Sequence, residues 1–106
     1  MSDWIDVAAE NAIAPGEYVT VDIDDVQVAV FNVDGGFFAI EDVCTHDYLC
    51  LTGGEVEGEE IICPHHGARF NIKTGEALTA PAYEATNTFP VRVEGGRIQV
   101  RDDRWD

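Results

Sequence analysis

The amino-acid sequence predicts an all-β domain, and three observations lead to this prediction. Apolar residues fall in short segments that alternate with polar residues, as they do in half-buried strands. Glycine-containing turns follow closely on these segments. No segment of helix length connects them, as parallel strands would require. This pattern is typical of an antiparallel sandwich or a small barrel.

The predicted elements follow from these segments in chain order. Residues 7–14 are predicted to hold a helical turn, which Pro15 and Gly16 end. Turns are predicted at residues 34–36 and 94–96, where glycine pairs separate two alternating segments. We predict strands at residues 17–23, 26–31, 37–40, 60–63, 68–71, 89–93 and 97–100.

The charge balance narrows the classes of partner. The 106 residues include 21 Asp and Glu against 6 Lys and Arg, for a formal charge of −15 at pH 7. Phosphate and anionic membrane surfaces attract basic residues, so we expect no nucleic-acid or membrane partner. A protein with a basic surface fits this charge better. Because the acidic first residues resemble no signal peptide and no apolar run reaches about 20 residues, we expect a soluble, cytoplasmic protein. We also expect it to be a monomer.

Residues 43–70 contain all three cysteines and all three histidines. They include the motifs Cys44-Thr45-His46 and Cys63-Pro64-His65-His66, separated by 16 residues. Each motif offers one thiolate and one imidazole. Structural zinc sites usually take their ligands as pairs of like residues, which makes mixed pairs uncommon for zinc. A two-iron cluster with two cysteine and two histidine ligands requires this donor set.

This spacing closely resembles the motif of the Rieske [2Fe–2S] family, and the resemblance extends over essentially the whole chain through Gly53, Gly54, Gly67 and Pro81. It implies one [2Fe–2S] cluster per chain. Cys44 and Cys63 would ligate the inner iron, and His46 and His66 would ligate the outer iron. It also implies a single domain, residues 1–106, with the Rieske fold. A β-sandwich base (residues 1–43 and 72–106) would carry a cluster-binding subdomain (residues 44–71) at one end.

Departures from the high-potential members of this family indicate a low reduction potential. Those relatives carry a disulfide between the two ligand loops, and His65 stands where the second of its cysteines would be. They also place serine and tyrosine hydroxyls beside the cluster, where this chain has Ala68 and Phe70. Fewer hydrogen-bond donors stabilise the reduced cluster less. The resemblance therefore implies a potential near the low end of the roughly −150 to +300 mV Rieske range.

Low potential, small size and an acidic surface resemble the Rieske-type ferredoxins of bacterial ring-hydroxylating dioxygenase systems. The resemblance implies a one-electron carrier between a flavin-dependent reductase and a terminal oxygenase. We identify no catalytic residues, so the chain is expected to be a carrier and not an enzyme. Asp47 is a departure, since many of these ferredoxins have glycine at that position.

Two alternatives remain at this point. The chain is also similar to small subunits of other oxidoreductases such as nitrite reductase, although those can lack the four ligands. A structural zinc module is the less favoured alternative. His65 is the main competitor of His66 as a ligand, and Cys50 is expected to be a buried or half-buried free thiol.

Overall fold

The computed structural model describes residues 4–45 and 48–104. Within these ranges the chain forms ten β-strands and no helix, which confirms the all-β prediction. Accordingly, this part of the chain contains no helix long and apolar enough to cross a membrane. The strands are β1 (Ile5–Ala9), β2 (Tyr18–Ile23), β3 (Val26–Val33), β4 (Gly36–Glu41), β5 (Val56–Glu57), β6 (Glu60–Ile62), β7 (Arg69–Asn71), β8 (Thr88–Phe89), β9 (Val91–Glu94) and β10 (Arg97–Val100).

The strands pair into three antiparallel sheets. The first has the order β1-β10-β9, the second β2-β3-β4-β8 and the third β5-β6-β7. The third sheet lies within residues 44–71, between the two predicted ligand motifs and just after the second. The division of the chain into a base and a cluster-binding subdomain at residue 44 stays a prediction.

Strand β3 is buried on both faces, and it therefore separates two apolar cores. Successive strand residues point to opposite faces. Val28 and Val30 pack into a core with Ile98 and Val100 of the first sheet. Ala29, Phe31 and Val33 pack into a second core, formed mainly by residues 44–72. The four-stranded sheet thus has the first sheet on one face and the segment with the ligand motifs on the other. The second core contains Ala29, Phe31, Val33, Ile40, Cys44, Leu51, Ile61, Cys63, Ala68, Phe70, Ile72 and Ala82.

Three hairpins are closed by two-residue turns in which both residues have positive φ. Residues 34–35 join β3 to β4, and residues 95–96 join β9 to β10. Both turns contain glycine, which adopts this conformation readily. The turn between β2 and β3 is different, because Asp24 (φ 47°) and Asp25 (φ 70°) occupy it.

The predicted helical turn at residues 7–14 is wrong, because β1 covers Ile5–Ala9 and pairs with β10. The register shifts between Asp6 and Ala8, as at a β-bulge, and this shift breaks the alternation that would identify a strand. Pairing with an open sheet edge, and packing of Ile5 and Val7 against the first core, favour the strand here.

The predicted strand at residues 89–93 is two strands that belong to different sheets. β8 pairs with β4, whereas β9 pairs with β10. Pro90 lies between them and has no N–H to donate to a sheet. The chain passes from the second sheet to the first at this residue.

Candidate metal centre

The two predicted ligand motifs lie on loops with the same backbone hydrogen bonds. In the first loop the Cys44 N–H donates to the Leu49 carbonyl (2.7 Å), and the Tyr48 N–H donates to the Cys44 carbonyl (2.7 Å). In the second loop the Cys63 N–H donates to the Ala68 carbonyl (2.7 Å), and the Gly67 N–H donates to the Cys63 carbonyl (3.0 Å). The residue four positions after each cysteine has positive φ, 61° at Tyr48 and 73° at Gly67. The two cysteines therefore occupy corresponding positions in two similar loops.

Both cysteine side chains are buried in the same core. Cys44 is 0% exposed and Cys63 is 1% exposed, and both belong to the core between β3 and residues 44–72. Leu51, Ala68 and Phe70 belong to the same core and are fully buried. The structure thus brings together two of the four predicted ligands, in surroundings that exclude water.

The histidines of the second motif lie on the surface. His65 and His66 are both exposed, on the residues that follow the buried Cys63. The predicted ligand His46, and its neighbour Asp47, lie outside the described residues. In residues 4–45 and 48–104, no three His, Cys, Asp or Glu side chains are grouped closely enough to hold one metal ion. A two-iron cluster with two protein ligands on each iron needs no such group of three.

A third loop, residues 78–84, lies against the first ligand loop and against β7, the strand that follows the second ligand loop. Thr45 donates its hydroxyl to the Glu84 carbonyl (2.6 Å). The Arg69 N–H donates to the Thr79 hydroxyl (2.9 Å), and the Leu78 N–H donates to the Arg69 carbonyl (2.8 Å). The peptide bond before Pro81 is cis. This loop therefore joins the first ligand motif to the strand that follows the second.

Large apolar side chains are exposed on the first and third loops. Tyr48 is 72% exposed, Leu49 is 47% exposed and Tyr83 is 86% exposed. An open groove lined by Thr45, Pro81, Tyr83 and Glu84 adjoins the first ligand motif. Exposed aromatic side chains of this kind are typical of protein-protein contact sites.

The third sheet, β5-β6-β7, is stabilised by an ion-pair network. Arg69 of β7 contacts Glu60 of the adjacent strand β6 (3.2 Å) and Glu57 of β5, one strand further away (3.3 Å). Hydrogen bonds to Glu60 and Glu57 raise the pKa of the Arg69 guanidinium. The Arg69 guanidinium therefore stays positively charged and links the three strands of this sheet.

Two findings differ from the sequence analysis or extend beyond it. Cys50 is exposed, contrary to the prediction of a buried or half-buried thiol. The buried carboxylate of Asp42, two residues before Cys44, accepts hydrogen bonds from the end of the first ligand loop. The sequence motif gives no indication of Asp42, since its partners Gln27, Leu51 and Thr52 are nine or more residues away.

Comparison with known proteins identifies the family. The family described as Rieske [2Fe–2S] domain matches residues 3–90. This chain belongs to the Rieske family. The Rieske chain is also 37% identical over 97 residues to the ferredoxin component of the naphthalene 1,2-dioxygenase system of Pseudomonas aeruginosa. That match covers 92% of this chain and 93% of the relative.

Solved structures give the same assignment for the Rieske chain. A chain in the complex of reduced oxygenase and oxidised ferredoxin of carbazole 1,9a-dioxygenase matches with a TM-score of 0.88 and 34% identity, over 92% of each chain. A putative NADH-dependent nitrite reductase small subunit from Mycobacterium tuberculosis matches with a TM-score of 0.84 and 27% identity, over 96% of each chain. The Rieske fold prediction is therefore confirmed.

The residues present fit the [2Fe–2S] cluster that this Rieske domain binds, one per chain. Thiolates are the ligands that iron–sulfur clusters prefer, and two of them are buried at corresponding positions of matched loops. Imidazole ligands distinguish Rieske centres from all-cysteine clusters, and His66 follows Cys63 at the surface. The donor chemistry, buried on one side and exposed on the other, suits a cluster at the protein surface.

Proposed function

We propose that this Rieske domain carries single electrons from a flavin-dependent ferredoxin reductase to the terminal oxygenase of an aromatic ring-hydroxylating dioxygenase. The observation that carries this proposal is the placement of the predicted ligands. Cys44 and Cys63 are buried, whereas His66 is exposed, and apolar side chains are exposed on the first ligand loop. Relatives named as ferredoxin components of dioxygenase systems support the same function. In this proposal the chain is a carrier and not a catalytic subunit.

The proposed ligands are Cys44 and Cys63 for the inner iron and His46 and His66 for the outer iron. The matched loops support equivalent roles for the two cysteines. The cluster, when bound, accepts and releases one electron at a time. The exposed side of His66 gives a short path to a docked partner, and the buried thiolates keep the inner side away from water.

The surroundings of the ligand loops support a low reduction potential. Ala68 and Phe70 are both fully buried and carry no hydroxyl group. Rieske centres with hydroxyl donors near the cluster stabilise its reduced form more strongly. A low potential suits a carrier that must pass its electron on to an oxygenase.

The proposed docking surface consists of Tyr48, Leu49 and Tyr83, which are exposed beside the ligand motifs. Aromatic side chains contribute strongly at the centres of protein interfaces. The charge of −15 favours partners whose contact surfaces are basic. We propose that the protein acts as a cytoplasmic monomer that meets each partner transiently.

The alternative function is a small subunit of another oxidoreductase, and the structural similarity to the nitrite reductase small subunit favours it. Such a subunit would form a stable complex with a larger catalytic chain. A carrier would bind its reductase and its oxygenase in turn and would be isolated alone. Size-exclusion chromatography of the native protein from its own cells separates these two functions.

An anaerobic single-turnover experiment tests electron transfer. The protein, reduced stoichiometrically, is mixed with the oxidised terminal oxygenase of a naphthalene dioxygenase system, and visible absorbance reports the oxidation state. We expect one electron to leave each chain, and NADH with the reductase of that system to reduce it again. The proposed function would be contradicted if dithionite reduces the protein but the reductase does not, and the oxygenase does not oxidise the reduced protein.

A further inference from the structure

The buried carboxylate of Asp42 has four hydrogen-bond donors around it. Its Oδ1 accepts from the N–H groups of Leu51 and Thr52, both at 2.8 Å. Its Oδ2 accepts from the Thr52 hydroxyl (2.6 Å) and from the side-chain amide of Gln27. The residue is 5% exposed. A carboxylate buried to this extent is stable only when such donors compensate for lost hydration.

The hydrogen bonds from Leu51 and Thr52 to Asp42 close the first ligand loop. Asp42 precedes Cys44 by two residues, and Leu51 and Thr52 follow the hydrogen-bonded part of the loop. The carboxylate therefore joins the two ends of the loop. The Asp42 N–H also donates to the Gln27 carbonyl (2.8 Å) on β3. Asp42 is thus attached to β3, one of the two inner strands of the four-stranded sheet, and through Asp42 the other end of the loop is attached to it as well.

A tyrosine on the neighbouring strand continues this attachment. The Gly53 N–H donates to the Tyr18 hydroxyl at 2.8 Å. Three successive N–H groups, those of residues 51–53, therefore donate to side chains on β2 or just after β4. We name Asp42, Tyr18 and Gln27 the loop anchor.

The turn held by the loop anchor also lies against the strand that leads to the second ligand loop. A Cβ atom on Gly54 would lie 1.8 Å from the Ile62 carbonyl oxygen, so the two backbones are in close contact here. Ile62 directly precedes Cys63, and Leu51 shares a core with both cysteines. A shift of the turn would therefore move the two ligand loops relative to each other.

We propose that Asp42 is a positioning residue of the cluster site. Its carboxylate closes the first ligand loop and holds it in register with the second. Loss of this carboxylate should therefore weaken retention of the cluster more than it lowers global stability. This inference rests on the proposed ligand set, because Cys44 must be a ligand for the loop to matter.

Another buried carboxylate provides a matched control. Asp102 is 0% exposed and accepts hydrogen bonds from Arg104, on the part of the chain that follows β10. Arg104 packs over the ring of Phe89, which belongs to the core between the first two sheets. Asp102 therefore stabilises the base without contributing to the loop anchor.

The experiment measures how fast the cluster is lost to an iron chelator under native conditions, by visible absorbance, together with the thermal midpoint. Because local opening governs such a loss, we expect Asp42→Ala to accelerate it about tenfold beyond Asp102→Asn at comparable thermal midpoints. Asp42→Asn keeps Oδ1 for both amides and should recover most of the wild-type rate. If Asp42→Ala does not fold, Thr52→Val, which removes one donor, should still lose its cluster faster than Asp102→Asn.

Two results would overturn the inference. One is a rate of loss in Asp42→Ala and Thr52→Val no faster than in Asp102→Asn. The other is unchanged hydrogen exchange at residues 51–53 in Asp42→Ala. A different result would overturn the ligand set instead, namely Cys44→Ser and Cys63→Ser variants that keep the wild-type electron paramagnetic resonance spectrum.

Discussion

Tyr48 combines an unfavourable backbone conformation with an exposed side chain. Its φ is 61°, and the corresponding position of the second loop is Gly67. A side chain in the left-handed region costs about 1–2 kcal/mol. Since Tyr48 is 72% exposed, packing of its side chain against the protein compensates for little of this cost. Its contact with a partner protein would explain why tyrosine stands here.

We therefore predict that Tyr48→Gly weakens partner binding and leaves stability nearly unchanged. The variant should unfold within about 1 kcal/mol of the wild type, because relief of the backbone strain offsets the added chain entropy. Its affinity for the terminal oxygenase should fall about tenfold, as for a central aromatic contact. Titration calorimetry and thermal unfolding measure the two quantities.

Val93 supplies the control for this substitution. It is an exposed apolar residue on β9, in the first sheet of the base. Val93→Ala should leave the affinity unchanged. Equal losses of affinity in the two variants would show that Tyr48 has no special role in docking.

At this scale, sequence reasoning identified residues with local signals and missed those with distant partners. The cysteines and histidines stand in two short motifs, so chemistry and spacing identify them without a structure. Asp42 could not be found in this way, because its function depends on Gln27 from β3 and on Thr52 beyond the loop. Only the fold brings these residues together.

At the scale of elements, turns that contain glycine were predictable, and the turn formed by Asp24 and Asp25 was not. Residues 35–36 and 95–96 of the β3–β4 and β9–β10 hairpins are glycine pairs. Asp24 and Asp25 form an equivalent turn, yet in the sequence they are part of an acidic run. Strand β1 was missed because a bulge hides its alternation.

A buried ion pair lies within the segment after β10, and its Arg104 also packs over the ring of Phe89. Asp102 accepts from the backbone N–H of Arg104 (3.0 Å), from its Nε (2.8 Å) and from its Nη2 (2.7 Å). Arg104 holds the pKa of Asp102 well below its ordinary value, despite the opposing effect of burial. A hydrogen bond from Asp24 to Asp102 lowers the pKa of Asp102 further, and it raises the pKa of Asp24.

This pair should make stability depend on pH in acid. A depressed pKa in the folded state means that Asp102 stabilises the fold above the unfolded value, about 3.9, and that this contribution is lost as pH falls below it. Asp24, with a raised pKa, acts in the opposite sense, since its contribution is lost as pH rises. The thermal midpoint of Asp102→Asn should lie below that of the wild type at pH 6, and the difference should shrink toward pH 3.

Glu55→Gln is the control, because Glu55 is exposed and lies outside the segments that contain Asp24, Asp102 and Arg104. Its midpoint should follow the wild type at every pH. A difference between Asp102→Asn and the wild type that stays constant from pH 6 to pH 3 would refute the assigned ion pair.

At the scale of the whole molecule, the surface charge is dominated by carboxylates. All six basic residues are engaged within the chain. Arg69, Lys73, Arg92, Arg97 and Arg104 form ion pairs, and Arg101 lies over the ring of Trp4. A partner therefore meets a strongly negative field.

We predict that electron delivery to the oxygenase slows as salt is added. Screening shortens the Debye length from about 30 Å at 0.01 M to about 8 Å at 0.15 M, so the second-order rate constant should fall about tenfold over this range. Stopped-flow oxidation of the reduced protein measures it. Oxidation by uncharged benzoquinone should change little, and an oxygenase rate that rises with salt would contradict attraction to a basic surface.

The most direct test of the central claim is electron paramagnetic resonance of the dithionite-reduced protein, with iron and acid-labile sulfide counted on the same sample. It is applied to the wild type, His66→Ala and the matched neighbour His65→Ala. We predict a rhombic Rieske-type signal in the wild type and His65→Ala, with iron and sulfide in the ratio of a [2Fe–2S] cluster, and its loss in His66→Ala. A silent wild-type sample that contains zinc and no sulfide, or loss of the signal in His65→Ala alone, would contradict the proposed ligands.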